Sequence, residues 1–117
     1  GCKLHLPMRT WINGRWFGEA EAGVDMQFSF ADLIAHVAKS RPLTAGTLVG
    51  SGTIANEDTS KGASCLAEQR TVETLRDGKP ATPFLKFGDR VKIDITDQAG
   101  RSVFGAIEQV VKQYVPA

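Results

Sequence analysis

Trp11-Ile12-Asn13-Gly14-Arg15-Trp16-Phe17 is the stretch whose reading decides the fold. Asparagine and glycine both tolerate positive φ, which a two-residue type I′ hairpin requires at its central positions. Two antiparallel strands joined at Asn13-Gly14 are therefore predicted, with the two tryptophans supplying buried area. Working outward toward the N-terminus, Leu4, Leu6 and Met8 fall on one strand face and Lys3, His5 and Arg9 on the other. A period of two marks a half-buried strand.

Toward the C-terminus, Phe28 to Arg41 predicts the one main helix, at about residues 29–41. Ser29 is placed to cap it, with Asp32 three residues on as an aspartate variant of the capping box. Phe28 and Leu33 then form the hydrophobic staple, while Phe30, Leu33, Ile34, Val37 and Ala38 make an apolar stripe. Pro42 disfavours helical geometry at Arg41 and ends the helix. The run Leu43-Thr44-Ala45-Gly46-Thr47-Leu48-Val49-Gly50-Ser51-Gly52-Thr53-Ile54 combines β-branched residues with glycines, as a strand with a bulge would. Cys65 to Leu75 is read as a strand on Thr71, Val72 and Thr74, followed by a turn at Asp77-Gly78. Val91, Ile93 and Ile95 alternate with Lys92 and Asp94, Asp97 to Gly100 turns the chain, and Val103 to Val111 returns as a further strand. The architecture expected is β-rich α+β, one helix packed on a twisted sheet or roll.

The chain has 117 residues, enough for one domain and one core. A net charge of +1 gives no electrostatic reason to expect nucleic acid or an anionic membrane as partner. No run approaches the roughly 20 apolar residues of a membrane span, and Lys3, His5 and Arg9 interrupt any signal-like N-terminus. Cys2 and Cys65 read as free thiols in a reducing cytosol. His5 and His36 lie far apart with no second ligand nearby, so no zinc site is expected.

Two places could carry chemistry. Gly50-Ser51-Gly52-Thr53 lacks the flanks of a nucleophile elbow and the Gly-Lys-Ser/Thr ending of a phosphate loop. It reads either as a bulged strand with a tight turn or as a binding loop. In the second case its backbone N–H groups and the Thr53 hydroxyl could hold a carboxylate or a developing oxyanion. Glu68 reads either as a solvent-facing partner of Arg70 or Lys79, or as a partly buried carboxyl with a raised pKa suited to proton handling. Glu73, on the same segment, is set on the opposite face by strand parity.

Taken in order, Asp25-Met26-Gln27-Phe28-Ser29-Phe30, Leu33-Ile34-Ala35 and Leu43 to Ile54 resemble the fumarylacetoacetate hydrolase family. In that family a helix is followed by a leucine–x–x–glycine turn, a strand, and a glycine–serine–glycine–threonine loop lining the active site. The likeness continues through Gly62 to Glu73, Pro83 to Val91, Phe104-Gly105-Ala106-Ile107 and Val115-Pro116-Ala117. It covers most of the chain from about Asp25 onward.

The resemblance implies the C-terminal part of that family's catalytic domain, a twisted mixed sheet or β-roll spanning 1–117 as a single segment. It also implies metal-dependent hydrolysis of a carbon–carbon bond in a β-diketo acid of the fumarylacetoacetate or acylpyruvate type. Such a reaction ends tyrosine breakdown, and the enzyme would be a cytoplasmic homodimer. A magnesium or calcium ion would chelate the substrate as a Lewis acid, and a histidine–glutamate pair would activate water. By position Glu68 is that glutamate, and Thr53, with Gly52 and Ser51 beside it, contacts the keto-acid substrate. The family's metal ligands and its water-activating histidine lie before this segment, and neither His5 nor His36 takes that histidine's place. The segment alone is thus expected to be inactive and to need the N-terminal part of the same protein. The alternatives are a non-catalytic β-rich binding or assembly module, and a decarboxylase or isomerase of the same superfamily.

Overall fold

The two-residue turn forms as the sequence requires, with φ of 52° at Asn13 and 76° at Gly14. It joins β1 (Pro7–Ile12) to β2 (Arg15–Glu21) in a computed structural model that describes residues 1–117. After a long excursion the chain returns as β3 (Arg90–Ile95) and β4 (Ile107–Val110). The sheet order is β2-β1-β3-β4. All three pairings are antiparallel, which corrects the expected mixed sheet. Leu4 and Leu6 precede β1 rather than belonging to it. Trp16, expected to be buried, is 50% exposed.

Register sorts the side chains onto two faces. Met8, Thr10 and Ile12 stand opposite Ile95, Ile93 and Val91, and Ile107 continues the row beyond Ile93. The other face carries charge: Arg9 pairs with Glu19 at 3.5 Å and Arg90 with Glu108 at 3.6 Å. There, too, the Lys92 ammonium lies 5.4 Å from the centre of the Trp11 ring.

The helix α1 (Phe30–Ala38) has the capping box its sequence announces. Asp32 N–H donates to Ser29 Oγ at 3.2 Å, and Ser29 N–H donates to Asp32 Oδ2 at 2.9 Å. A second helix, α2 (Leu66–Asp77), occupies the segment read as a strand. Leu66, Ala67, Glu68, Gln69 and Arg70 are strong helix formers, and their summed preference outweighs three β-branched residues. Thr71 and Thr74, which argued for a strand, satisfy their hydroxyls inside the helix on Ala67 C=O (2.9 Å) and Arg70 C=O (2.7 Å). Gly78, in the left-handed region, closes the helix through its N–H to Thr74 C=O, so the expected turn is a helix cap.

Neither α-helix packs on the sheet, contrary to the expected layering. The Leu43–Ile54 run is not a strand either; its one backbone bond among turns and loops is Thr47 N–H to Thr44 C=O, and Leu48 is 97% exposed. An extended run is a strand only when a neighbouring edge accepts it. The expected last strand shortens to β4, although Val103 N–H still reaches Ile95 C=O.

The outer edge of β2 is covered by the chain at 56–62. Gly18 bridges Gly62 there, after a bulge that leaves Phe17 unpaired between Thr10 and Trp11. A Cβ on Gly18 would stand 2.1 Å from Ala63 O, and one on Gly62 would stand 2.5 Å from Phe17 O. Two glycines are what let these backbones meet.

Candidate functional site

The turn after β2, the start of α1 and the Ser51–Ala55 loop enclose a cleft of about 210 Å³. Asp25, Met26, Phe28 and Leu33 form one wall, and Ser51, Thr53 and Ile54 form the other. The staple pair predicted from sequence, Phe28 and Leu33, thus lines the cleft rather than a core. Gly52 lies between the two hydroxyl residues with φ of 85°, and its α-carbon faces open space. Two hydroxyl residues on one wall, Ser51 and Thr53, suit a polar oxygen ligand, while Met26, Phe28 and Ile54 suit apolar carbon.

The two walls are tied together behind the cleft. Asn56 Oδ1 accepts from Glu21 N–H at 2.7 Å, and Asn56 Nδ2 donates to Glu21 C=O and Val24 C=O. Asp25 Oδ2 accepts from Glu57 N–H at 2.9 Å. Glu21 Oε2 in turn accepts from Gly23 and Val24 N–H, which shapes the turn. None of Asn56, Glu21 or Asp25 was singled out as a site residue by sequence reading. Their partners lie some thirty residues away, and no local pattern announces them.

Glu68 sits in the first turn of α2, half-buried. It forms no ion pair, so the reading that joined it to Arg70 or Lys79 does not hold. Burial pushes its carboxyl above the ordinary glutamate pKa. It is not among the residues lining the cleft of Ser51 and Thr53. Its helix is nevertheless anchored to that loop, because Ser64 Oγ donates to Ile54 C=O just before α2 begins.

Glu73 is the buried carboxylate of α2, with 5% of its surface exposed. It accepts from Ala81 N–H (2.7 Å), Thr82 N–H (2.8 Å), Thr82 Oγ1 and Gln69 Nε2 (3.1 Å). The Thr82 hydroxyl and the backbone N–H groups hold its pKa down to about 2. Arg70 completes the same lock, donating to Thr82 C=O and lying 4.3 Å from the centre of the Phe84 ring. Every lone pair of consequence on Glu73 is engaged, so its role is to hold residues 81–84 against α2. Strand parity hid this, because Gln69 and Glu73 are neighbours only at helical spacing.

No three His, Cys, Asp or Glu side chains converge as a metal-binding group. Glu73 already spends both oxygens on N–H and hydroxyl donors, and Asp25 spends Oδ2 on Glu57 N–H. The donor set here therefore does not fit a divalent cation. Both cysteines are free thiols, and no helix is long and apolar enough to cross a membrane.

The chain is thus a small α+β domain with a cleft beside a glycine-rich, hydroxyl-bearing loop. The chain belongs to the fumarylacetoacetate hydrolase family: the family model described as Fumarylacetoacetate (FAA) hydrolase C-terminal matches residues 3–112. Membership assigns it to a hydrolase- and isomerase-type enzyme superfamily whose members often use divalent metals. The match begins well before Asp25, so the hairpin is part of the family's domain too. No curated protein matches the chain.

Proposed function

We propose that this chain is the substrate-holding segment of an enzyme that hydrolyses a carbon–carbon bond in a β-diketo acid, of the fumarylacetoacetate or acylpyruvate type. The observation that carries the reading is the shared cleft wall of Ser51 and Thr53, with apolar Met26, Phe28 and Leu33 facing it. The two hydroxyls and the Gly52 backbone hold a carboxylate or carbonyl oxygen, and the apolar wall takes the acyl chain. Glu68 handles the proton: burial raises its pKa, so its carboxylate is a stronger base and can accept a proton from water or from the protonated histidine of the pair. The magnesium or calcium ion belongs, in this reading, to residues other than these. The N-terminal part of the same protein and a second copy of the chain complete the cleft, in a cytoplasmic homodimer.

The test is acylpyruvate cleavage by the intact protein with magnesium. Thr53→Val is expected to raise KM, and Glu68→Gln to lower kcat by about 10²–10⁴-fold with little change in KM. The acid limb of the wild-type rate profile should lie above pH 4.5, the ordinary value for the side chain, and should vanish in Glu68→Gln. A fully active Glu68→Gln protein would remove Glu68 from the chemistry.

A further inference from the structure

We propose that Asn56 is a positioning residue that sets the width of the Ser51–Thr53 cleft, an inference that rests on reading that cleft as the substrate site. The outer edge of β2 ends at Glu21, beside Asn56. Ala22 N–H donates to Leu6 C=O across the β1–β2 ladder. In an antiparallel pair the next residue's groups then point the other way, so Glu21 N–H and C=O face out from the sheet. The carboxamide of Asn56 meets both of them, as the peptide group of an added strand would, and reaches Val24 C=O with its second hydrogen.

Position gives this clasp its consequence. Asn56 follows Thr53 by three residues and clamps its loop to the turn that carries Asp25 and Met26. The clasp therefore joins one wall of the cleft to the other. Residues 43–55 belong to no strand, Ser64 grips only Ile54 C=O, and across this junction the clasp's three bonds are joined by one more, Glu57 N–H to Asp25 Oδ2. The three bonds need an acceptor and two donors on one short side chain. Aspartate keeps the acceptor and loses both donors, and alanine loses everything.

Two readouts on the intact protein test the proposal. Amide hydrogen exchange at Glu57, whose N–H spans the same junction to Asp25, should quicken in Asn56→Ala and in Asn56→Asp, while Ala81 and Thr82, held by Glu73, keep wild-type rates. Acylpyruvate cleavage should lose about 10- to 100-fold in kcat/KM in both variants, carried mainly by KM. A role confined to general stability would move all amides together and leave KM unchanged. Exchange separates the two ideas. An unchanged rate at Glu57 in Asn56→Ala overturns the positioning role even in a protein that cleaves acylpyruvate. Faster exchange there supports it even where the wild-type protein cleaves none, and then only the functional reading falls. Faster exchange with unaltered KM and kcat in an active protein also overturns the proposal.

Discussion

Two glutamates five residues apart on α2 titrate in opposite directions, and the reason is what each one meets. Glu73 meets hydroxyl and N–H donors, which favour the charged form and hold its pKa down to about 2. Its contribution to stability is whole above 4.5, the unfolded value, and is lost as the pH falls from there toward about 2. Glu73→Gln should therefore lower the unfolding midpoint at neutral pH, with the gap to wild type closing as the solution approaches pH 2. A gap that stayed constant across that window would show that the carboxylate's charge is not what matters. Glu68 is half-buried with no ion partner, so its pKa rises and its ionised form is the less favoured one in the fold. Glu68→Gln is thus expected to keep or raise the neutral-pH unfolding midpoint while abolishing proton handling. Thermal melts of the two variants side by side check the opposite signs. Sequence reading chose Glu68 and passed over Glu73, because burial and donors come from Ala81 and Thr82 across a chain reversal.

Among the elements, those with a purely local cause were legible. Asn13-Gly14 demanded its hairpin, and Ser29 with Asp32 marked the start of α1. Ser29→Ala should cost about 1 kcal/mol, measured by urea unfolding, since it removes the cap for Asp32 N–H. The covered edge of β2 was not legible, although its requirement is severe. Gly18→Ala drives a methyl into the Ala63 backbone and should destabilise the protein by about 1–3 kcal/mol. An unfolding midpoint equal to wild type would mean that the 56–62 segment does not lie on β2. The misreading of α2 is instructive. Thr71, Val72 and Thr74 favour strands on average, but a β-propensity reports fit to a neighbouring strand, and no strand lies beside them.

On the scale of the whole molecule, the chain does not close over a core of its own. Its accessible surface is 8678 Å², against about 6200 Å² for a compact monomer of this mass. The radius of gyration is 16.7 Å, where about 13 Å is usual for this length. Phe28, Phe84, Phe87, Phe104 and Tyr114 are all exposed, and no large side chain is fully buried. A surface of that kind is covered by a partner or it aggregates. The isolated 117-residue chain is expected to bind a hydrophobic dye such as ANS and to associate, with a Tm that falls on dilution. Sedimentation as a monomer that ignores the dye, with a Tm independent of concentration, would contradict this.

What the sequence by itself determined is the set of features each caused within a few residues: the hairpin turn, the helix cap, the alternating β3, and the ordered motifs that mark the fumarylacetoacetate hydrolase family. Backbone sterics and side-chain-to-backbone bonds act at that range, so neighbours suffice to read them. Only the tertiary structure decided that residues 66–77 are helical and that Glu73 is saturated while Glu68 has no ion partner. It alone joined Asn56 to Glu21 behind the cleft, and left Glu68 off the wall that Ser51 and Thr53 share. Those outcomes depend on which distant groups meet once the chain reverses, and a hydrogen bond across thirty-five residues leaves no periodicity to find.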